Sequence, residues 1–579
     1  MKYENICKGN FIDRPNRFLA HVEMNGSIET VHVKNTGRCA ELLKPGTEVY
    51  LQDSKNPARK TRYDLIGVKK GARQVNMDSQ VTNTVVKEWI EKGKFIPEVT
   101  VVKGEYTYGK SRFDIYVEAG ERKIFIEVKG VTLEEDGVVR FPDAPSERAV
   151  KHVEELAKAV KEGYEAYVFF VVQMQDVRYF TPNMDTHAAF GKALSEAAKC
   201  GVKVLAYDCE VTPDSIKIRK EVPVVLENPE LFAMRDPLVS WYRTNKRELP
   251  WRENQDPYRI WVSEIMLQQT RVEAVKPYYE RFLQELPTVR HLAEAEEDKL
   301  LKLWEGLGYY NRVRNMQKAA QQIMIDYHGK FPQTYEEIKT LKGIGNYTAG
   351  AISSFAYGLP KPAVDGNVLR VVTRILADES DIMKQSTKTR IEEMLERVIP
   401  EDAASDFNQG LIELGAIVCV PNGDPKCEEC PAAAYCKAKK EGKTDRIPVK
   451  SKAKERKIEK KTVLIFRDGE KIAISKRGKK GLLAGLYELQ NEPGHMTIEE
   501  VTKFSKNIGL MPIHIKELPA AKHIFSHVEW HMIGYEIRVD ELEKTNKKGL
   551  LFIHPEDIAK DYPIPSAFDK YNPCKNCRI

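Results

Sequence analysis

The chain has 579 residues, of which 42% are hydrophobic and 30% charged, and this length is enough for three or four globular domains. No apolar run approaches the roughly 18 residues of a membrane span, and the first residues lack the apolar core of a signal peptide. We therefore expect a cytoplasmic protein without a membrane partner. The net charge of +6 is too small to indicate nucleic-acid binding by itself.

The residue pattern divides the chain into three successive regions, which are α/β, all-α and α+β. Residues 1–80 alternate polar and apolar positions, which predicts the short strands of a small barrel, and 81–225 alternate helices with apolar strands, which predicts an α/β domain. Nearly every segment of 229–440 is helical. After a basic linker at 441–461, the strand pattern returns in an α+β domain at 462–579. The linker is typical of a solvated connection, with a phosphate-facing segment as the alternative.

The α/β region contains a charged pattern on two consecutive strands. Period-two geometry places Glu127 and Lys129 on one face of their strand, and Asp114 lies on the strand before it. Restriction-type nucleases hold Mg²⁺ between two such carboxylates, with the lysine supporting attack by water. A solvated hairpin face is the alternative.

The helical region places a carboxylate in apolar surroundings. The stretch WVSEIMLQQT surrounds Glu264 with apolar side chains, and Asp256-Pro257 upstream is a good helix start. Such a helix is expected to be buried. Glu264 is therefore either a buried carboxylate without a role in catalysis or a catalytic group.

Further along, LKGIGNYTAGAISSFA predicts a helix, a Gly-x-Gly hairpin and a second helix. Gly343 and Gly345 permit positive φ and close approach of another molecule, and the N–H groups that follow can bind a DNA phosphate. An ordinary helix turn is the alternative. Asp365 stands where the N-cap of the next helix belongs.

Four cysteines cluster near the end of the helical region. They are Cys419, Cys427, Cys430 and Cys436, with seven, two and five residues between them. A short Cys-x-x-Cys core with flanking cysteines favours a compact set of thiolate ligands, and zinc remains an alternative. Cys574 and Cys577 at the C-terminus are interpreted as surface thiols, with a labile metal or redox role as the alternative.

The motifs LPWR, SEIMLQQT, GLGYYNRVRN, LKGIGNYTAGAI and VDGNVLRV, followed by the four cysteines, resemble the helix–hairpin–helix DNA glycosylases, and specifically the MutY-type adenine glycosylases. This resemblance implies that Glu264 protonates adenine N7 and that Asp365 stabilises the oxocarbenium-like sugar. Asn367 is implied to position the aspartate and water. Tyr347 occupies the position where lyase relatives resembling endonuclease III carry a nucleophilic lysine, which favours a monofunctional enzyme.

The same resemblance implies the substrate contacts. Arg252 matches a residue of the adenine pocket, and Gln269 and Tyr309 match residues that wedge into the base stack. GLLAGLYELQNEP resembles a Nudix-like domain without the acidic core needed for pyrophosphate hydrolysis. Its FSH loop is implied to read 8-oxoguanine and consists of Phe525, Ser526 and His527.

The cofactor implied by the resemblance is a 4Fe–4S cluster on the four clustered cysteines. The common family spacing has six residues between the first two cysteines, whereas this chain has seven. A loop absorbs one extra residue easily, so we still expect the cluster, with zinc as the lesser alternative.

Residues 1–225 resemble the sugar fermentation stimulation protein (SfsA) family through FIDRPNRF, VHVKNTGRC, YGKSRFD, FIEVKGVTLEEDG and FPDAPSERAVKH. The resemblance implies DNA binding by an OB-like barrel followed by a PD-(D/E)XK nuclease-like domain. Asp114, Glu127 and Lys129 fall on the nuclease-like motif, so Mg²⁺ is a candidate cofactor.

The predicted fold class is multidomain: an OB-like β-barrel and a PD-(D/E)XK-like α/β domain, an all-α helix–hairpin–helix glycosylase with an iron–sulfur lobe, and an α+β Nudix-like domain. The expected function is base excision repair of adenine opposite 8-oxoguanine or guanine in double-stranded DNA, by a monomer associated with the nucleoid. The alternatives are a bifunctional glycosylase and lyase of the endonuclease III type, an active Mg²⁺-dependent nuclease in the N-terminal half, or a silent DNA-binding protein there.

Overall fold

The computed structural model describes residues 1–35, 37–56, 58–109, 111–451, 455–540 and 549–573. The chain forms two compact units, Met1–Phe232 and Ala233–Ile579. Cys574 and Cys577, predicted as surface thiols, lie outside the described residues. Within the described ranges, no helix combines the length and the apolar character that crossing a membrane requires.

The first unit begins with a barrel. Its strands are β1 (Ile6–Asn16), β2 (Leu19–Met24), β3 (Ser27–Val33), β4 (Glu48–Asp53), β5 (Tyr63–Lys70) and β6 (Arg73–Asn76). They are ordered β3-β2-β1-β4-β5-β6, and an additional pairing of β3 with β5 closes the sheet on itself. Closure removes the exposed edges of the sheet.

The second part of this unit is an α/β domain. Its elements are α1 (Val81–Glu91), β7 (Val99–Tyr108), β8 (Ser111–Ala119), β9 (Arg122–Val131), β10 (Leu133–Glu135), β11 (Val138–Phe141), α2 (Glu147–Lys161), β12 (Glu165–Val172), β13 (Tyr179–Pro182), α3 (Met184–Lys199), β14 (Lys203–Thr212) and β15 (Ser215–Glu221). The main sheet has the order β15-β14-β12-β9-β8-β7, and both α1 and α2 pack on it. β9 is central, so its side chains are buried between sheet and helix.

The second unit begins with helices. They are α4 (Pro229–Ala233, which starts in the first unit), α5 (Arg235–Asn245), α6 (Pro257–Met266), α7 (Val272–Glu285), α8 (Val289–Glu294), α9 (Glu297–Leu303), α10 (Asn311–Asp326), α11 (Tyr335–Thr340), α12 (Asn346–Tyr357), α13 (Gly366–Leu376), α14 (Gln385–Glu396), α15 (Ala404–Ile417) and α16 (Lys437–Lys440). The core of this region contains the apolar side chains of α6, α10 and α12. α12 and α13 both pack against α15. These contacts bring the N-termini of α12 and α13 to one region.

The chain ends in an α+β domain. Its elements are β16 (Lys457–Asp468), β17 (Lys471–Lys476), β18 (Tyr487–Pro493), α17 (Ile498–Asn507), β19 (Met511–Ile524), β20 (Val528–Asp540), β21 (Leu550–Ile553) and α18 (Pro555–Asp561). The sheet order is β19-β20-β16-β18-β17-β21. β16 begins inside the stretch predicted as a linker, because Lys457–Lys461 pair with β20. The multidomain fold class predicted from the sequence is confirmed.

Candidate active site

Glu264 lies near the end of α6, a helix that the sequence builds from a local signal. Asp256 caps the helix by accepting hydrogen bonds from the backbone N–H groups of Tyr258, at 2.8 Å, and Arg259, at 3.3 Å. Pro257 occupies the first turn, where a missing N–H costs nothing. Every residue from Ile260 to Met266 is buried, and the Glu264 residue is only 5% exposed.

The carboxyl group of Glu264 has an unusual electrostatic environment. Burial raises the pKa of Glu264 to about 7, a hydrogen bond from Tyr347 acts in the opposite direction, and the negative charge of Asp365 raises it further. The Tyr347 hydroxyl donates this bond to Oε2 at 2.5 Å. A carboxyl with such a pKa is partly protonated near neutral pH and can serve as a proton donor.

Asp365 is held at the N-terminus of α13. Its Oδ1 accepts from the backbone N–H of Val368 at 2.8 Å, as expected for the N-cap, and its Oδ2 accepts from the Asn367 side chain at 2.7 Å. Burial raises the pKa of Asp365, and these two hydrogen bonds oppose the increase. The aspartate is therefore fixed in position, with its charge supported by two donors.

One cavity of about 760 Å³ brings most of the predicted residues together. Its lining includes Arg252, Glu264, Gln269, Tyr347, Asp365 and Asn367. This volume is in the range of sites that enclose a small organic group such as a nucleobase. Tyr309 is not part of this lining, and its side chain is exposed instead.

Arg252 is oriented by a residue that no sequence pattern indicated. Glu413 on α15 is fully buried and accepts from Arg252 Nη2 at 2.8 Å and from Arg247 Nε at 2.7 Å. Burial alone would raise the pKa of Glu413, but these hydrogen bonds outweigh it and lower the pKa to about 2. The Arg252 guanidinium also stacks over the Tyr242 ring, 5.5 Å from its centroid.

Arg370 on α13 is a second residue that the sequence did not indicate. Its Nη2 donates to Asn367 Oδ1 at 2.8 Å and to the Gly415 carbonyl oxygen at 2.7 Å. Its Nε donates to the Cys419 carbonyl oxygen at 2.7 Å. One side chain thus connects the residue that holds Asp365 to the cysteine-containing segment.

The two glycines of the hairpin before α12 have different backbone conformations. Gly343 has a positive φ of 82°, whereas Gly345 has a φ of −98° and extended backbone, because it is the N-cap of α12. Only Gly343 therefore uses the positive φ that both glycines permit. No atom lies within 4 Å of the position that a Gly345 Cβ would occupy, so the backbone is open to close approach from outside.

The FSH residues occupy the turn between β19 and β20. The Phe525 ring packs edge-on against Trp530, with 4.9 Å between centroids, and Arg456 Nε donates to the Phe525 carbonyl oxygen at 3.1 Å. Ser526 and His527 are exposed at the tip of the hairpin. The turn therefore has an anchored first residue and two exposed polar residues that are hydrogen-bonded to each other, with 3.2 Å between Ser526 Oγ and His527 Nδ1.

The four clustered cysteines line a second cavity next to α13. Arg374 Nη1 donates to the Cys419 sulfur at 3.2 Å, and the Cys436 sulfur donates to the Arg374 carbonyl oxygen at 3.4 Å. Within the described ranges, no three His, Cys, Asp or Glu side chains are close enough to share one metal ion. Four thiol side chains around one cavity are the soft donor set through which iron–sulfur clusters and zinc are bound, and they fit such a group.

In the first unit, the structure brings Asp114, Glu127 and Lys129 together. Asp114 Oδ2 accepts from the backbone N–H of Val128 at 2.8 Å, and Lys129 Nζ donates to Glu127 Oε1 at 2.5 Å. Burial and the neighbouring Glu127 raise the pKa of Asp114. Burial would also raise the pKa of Glu127, but hydrogen bonds and attraction from its cationic neighbours outweigh that effect and lower it.

His152 on α2 completes this cluster and was missed in the sequence. Its Nδ1 is hydrogen-bonded to Glu127 Oε1, and the histidine is 6% exposed. His152 lies on the same helix face as the buried Ala149, Val153 and Leu156, so helical periodicity could have indicated it. Glu127 is 1% exposed, and its Oε2 has no hydrogen-bond partner among the residues that the structure describes.

Four family models match the chain in the order of its domains. They are the SfsA N-terminal OB domain over residues 12–77, the sugar fermentation stimulation protein RE domain over 80–215, the HhH-GPD superfamily base excision DNA repair protein over 262–401, and the NUDIX domain over 462–572. The Glu264, Tyr347 and Asp365 cavity lies in the third of these regions.

Individual proteins are similar to parts of the chain. A sugar fermentation stimulation protein homolog of Desulfitobacterium hafniense is 62% identical over 226 residues, which are 39% of this chain and 99% of that protein. The structure of Pyrococcus furiosus SfsA in complex with Ca²⁺ is 29% identical and covers 39% of this chain and 98% of its own, with a TM-score of 0.37. The structure of a thermostable thymine-DNA glycosylase is 28% identical and covers 37% of this chain and 98% of its own, with a TM-score of 0.34.

Proposed function

Because the chain belongs to the sugar fermentation stimulation protein family and carries a base excision repair glycosylase domain after the shared part, we propose that it is a DNA glycosylase that hydrolyses the N-glycosidic bond of adenine opposite 8-oxoguanine or guanine. The glycosylase chemistry belongs to the HhH-GPD region. The choice of adenine rests on the residues that line its cavity and on the FSH hairpin.

The observation that carries this proposal is the environment of Glu264. Four glutamates are buried in the described part of the chain: Glu127, Glu134, Glu264 and Glu413. The other three have cationic side chains as direct partners, whereas the side-chain partner of Glu264 is the neutral phenol of Tyr347. A buried carboxyl without a cation keeps its proton to higher pH, which is the property that an acid catalyst needs.

The reaction follows from the positions of three side chains. Glu264 gives its proton to N7 of the bound adenine, the C1′–N9 bond breaks, and its electron pair stays with the base. Asp365 stabilises the positive charge that develops on the sugar. Water then adds to C1′ and its proton passes to a carboxylate, and Asn367 keeps Asp365 oriented through these steps.

Tyr347 separates this chemistry from that of a lyase. A lyase needs an amine that attacks C1′ and forms a Schiff base. Burial and two neighbouring carboxylates raise the pKa of the Tyr347 phenol well above its ordinary value, so it stays neutral and is a poor nucleophile. The expected product is an intact strand with an abasic site.

Double-stranded DNA is the partner that fits the remaining features. The open backbone at Gly345, followed by the N-terminus of α12, is suited to a phosphate, whereas a Cβ at Gly343 would lie 2.7 Å from the Asn315 Cβ. The exposed Ser526 and His527 present hydrogen-bonding groups at a hairpin tip, as a reader of the base opposite adenine requires. The four clustered cysteines would hold a 4Fe–4S cluster, whose bonds to sulfur would cross-link this segment next to α13.

Single-turnover cleavage of a labelled duplex with adenine opposite 8-oxoguanine tests the proposal, in EDTA and with or without hot alkali. Strand breaks that appear only after alkali are expected. Breaks without alkali would contradict the monofunctional assignment and would point to Lys246, Lys388 or Lys450, which line the same cavity. The absence of any product from cluster-loaded protein would contradict adenine excision itself.

A second candidate function concerns the first unit, where the unpartnered Oε2 of buried Glu127 favours a metal-dependent nuclease. Asp114 and Glu127 would hold Mg²⁺, which typically keeps several waters and needs only one or two protein carboxylates. The ion would activate water and neutralise phosphate charge. Nicking of plasmid DNA by the Glu264→Gln protein in Mg²⁺, lost on Glu127→Gln, would support this function, and metal-independent binding without cleavage would contradict it.

A further inference from the structure

The two residues implied to enter the base stack share an unusual backbone conformation. Gln269, which follows α6, has a φ of 63°, and Tyr309, which precedes α10, has a φ of 48°. Side chains of L-residues seldom adopt this left-handed region, so surrounding contacts must hold them there. Both residues lie at the surface, and Tyr309 is 52% exposed.

A single guanidinium binds the backbone in front of both residues. Arg312 Nη1 donates to the carbonyl oxygens of Gln268, at 2.6 Å, and Ile265, at 2.7 Å. Its Nη2 donates to the carbonyl oxygens of Leu307, at 2.9 Å, and Gly308, at 3.2 Å. The planar fork thus spans two loops that are about forty residues apart in sequence.

The position of these carbonyls explains how they control the exposed residues. The Gln268 carbonyl belongs to the peptide that precedes Gln269, and the Gly308 carbonyl belongs to the peptide that precedes Tyr309. The angle φ is the rotation about the N–Cα bond, and this nitrogen belongs to the same peptide plane as the preceding carbonyl. A carbonyl that is held in place therefore restricts φ of the following residue. Arg312 therefore restricts both left-handed conformations at once.

Packing keeps the guanidinium in this place. Its carbon lies 5.4 Å from the centroid of the Trp304 ring and 5.5 Å from that of Tyr309. Trp304 Nε1 also donates to the Gly308 carbonyl oxygen at 3.0 Å. In the described part of the chain, the hydrogen-bond partners of the Arg312 guanidinium are backbone carbonyls, and no carboxylate forms an ion pair with it.

We propose that Arg312 is a positioning residue that makes Gln269 and Tyr309 one preformed wedge for duplex DNA. This inference rests on the proposed function, because it assigns the means by which that enzyme opens the helix. A base must leave the stack before it reaches Glu264. Residues that are already ordered lose little conformational entropy when they enter the DNA, so a braced wedge shifts the equilibrium toward the extruded base.

Amide hydrogen exchange of cluster-loaded, full-length protein without DNA tests the brace. In Arg312→Ala, amides in 267–270 and in 306–310 are expected to exchange at least tenfold faster, because both loops lose their shared partner. Arg312→Lys keeps the charge but not the fork, and it should loosen the two loops to a smaller degree. Arg290→Ala removes an exposed arginine of the same region and should change neither loop.

Fluorescence of 2-aminopurine opposite 8-oxoguanine tests whether DNA opening uses the brace. The measurement is made in a Glu264→Gln background, which prevents excision. The parent is expected to increase the fluorescence on binding, Arg312→Ala to lose most of the increase, and Arg290→Ala to retain it. Affinity for undamaged duplex should change by less than about threefold.

The outcomes separate this inference from the proposed function. Unchanged exchange in either loop of Arg312→Ala would overturn the shared brace, even if adenine excision were established. Faster exchange in both loops with an undiminished fluorescence increase would overturn its use in DNA opening. No increase with the parent would overturn the wedge role of Gln269 and Tyr309 and this inference with it, while the alkali assay still decides whether adenine is released.

Discussion

Each unit of the chain contains a pair of carboxylates, a buried glutamate and a half-buried aspartate, and in both pairs the aspartate is held in the same way. Asp365 accepts from the Asn367 amide at 2.7 Å and from a backbone N–H at 2.8 Å. Asp114 accepts from the Asn83 amide at 2.9 Å and from a backbone N–H at 2.8 Å. In each case an amide and a main-chain donor orient an aspartate that burial would otherwise disfavour as an anion.

The two glutamates differ. Glu264 contacts the neutral phenol of Tyr347, and burial raises its pKa to about 7. Glu127 contacts Lys129 and His152, and these hydrogen bonds outweigh burial and lower its pKa. The first glutamate is suited to donating a proton and the second to remaining an anion.

The comparison shows that the partners of the glutamate decide the chemistry of each pair. A proton donor suits departure of a base, and a permanent anion suits a cation or a metal ion. The same pair of residue types is therefore suited to acid catalysis in one unit and to charge neutralisation in the other. Substitutions in and around these pairs would break or sharpen this contrast.

Exchange of each glutamate for glutamine should have the largest effect, and only in its own unit. Glu264→Gln removes the proton donor and should slow single-turnover adenine release by about 10²–10⁴-fold, the range typical of a lost general acid. Glu127→Gln should leave that rate within about twofold, since a surface or remote change seldom affects chemistry elsewhere. A large loss of adenine release in Glu127→Gln would contradict independent sites.

The same contrast predicts opposite effects on stability within the second unit, where Glu264 and Glu413 are both buried. The folded pKa of Glu264 is raised to about 7, so its contribution to stability is complete below pH 4.5 and is lost as the pH rises to about 7. The loss is roughly 3 kcal/mol, at about 1.4 kcal/mol per pKa unit. Glu264→Gln should therefore raise the unfolding temperature at pH 8 and have little effect at pH 4.

Glu413 provides the matched control for this calorimetric measurement. Its folded pKa is lowered to about 2, so its contribution is present above pH 4.5 and is lost as the pH falls toward 2. Glu413→Gln should lower the unfolding temperature at pH 8, because Arg247 and Arg252 lose their charged partner. If both variants shifted the temperature in the same direction, the distinction between paired and unpaired glutamates would be wrong.

Local sequence signals predicted the acidic residues but not the side chains that contact them. Asp256 and Asp365 were predicted as helix caps, since a cap depends on residues two or three positions away. The Arg252 partner Glu413 is 161 residues away in sequence, and no local pattern connects them. The pKa of a buried carboxyl depends on such distant partners, so the sequence alone did not determine it.

The hairpin glycines illustrate the same limit at the level of the backbone. The Gly-x-Gly pattern predicted the turn correctly, and the family matches and the structure confirm the multidomain fold class. The pattern does not distinguish a glycine with positive φ from one that serves as an extended N-cap. That difference between Gly343 and Gly345 depends on where α12 begins.

In both units the aspartate is held by a side-chain amide and a backbone N–H. In the second unit, a substitution behind Asn367 can test this support. A Cβ at Gly415 would lie 2.5 Å from the Asn367 Cβ, which is too close for any real contact. Gly415→Ala should therefore displace Asn367 and Asp365 and slow adenine release by about tenfold or more, because small displacements of catalytic groups are costly. Gly478→Ala is the control, as its Cβ would meet no atom within 4 Å and the residue is not part of the cavity lining. Equal single-turnover rates for the two variants would show that Asn367 does not hold Asp365 during the reaction.

The smallest expected effect comes from Tyr347, the neutral partner that distinguishes Glu264 from Glu127. The phenol donates to the carboxyl group and lowers its pKa, although burial has the larger opposite effect. Tyr347→Phe should therefore raise the pKa of Glu264 and move the decline of the single-turnover rate, which is expected to begin near pH 7 in the native protein, toward higher pH. The rate near pH 7 should change only a few-fold, since one hydrogen bond contributes about 1 kcal/mol. A decline that moved to lower pH would mean that the tyrosine stabilises the protonated acid, and the contrast between a neutral and a cationic partner would then need to be restated.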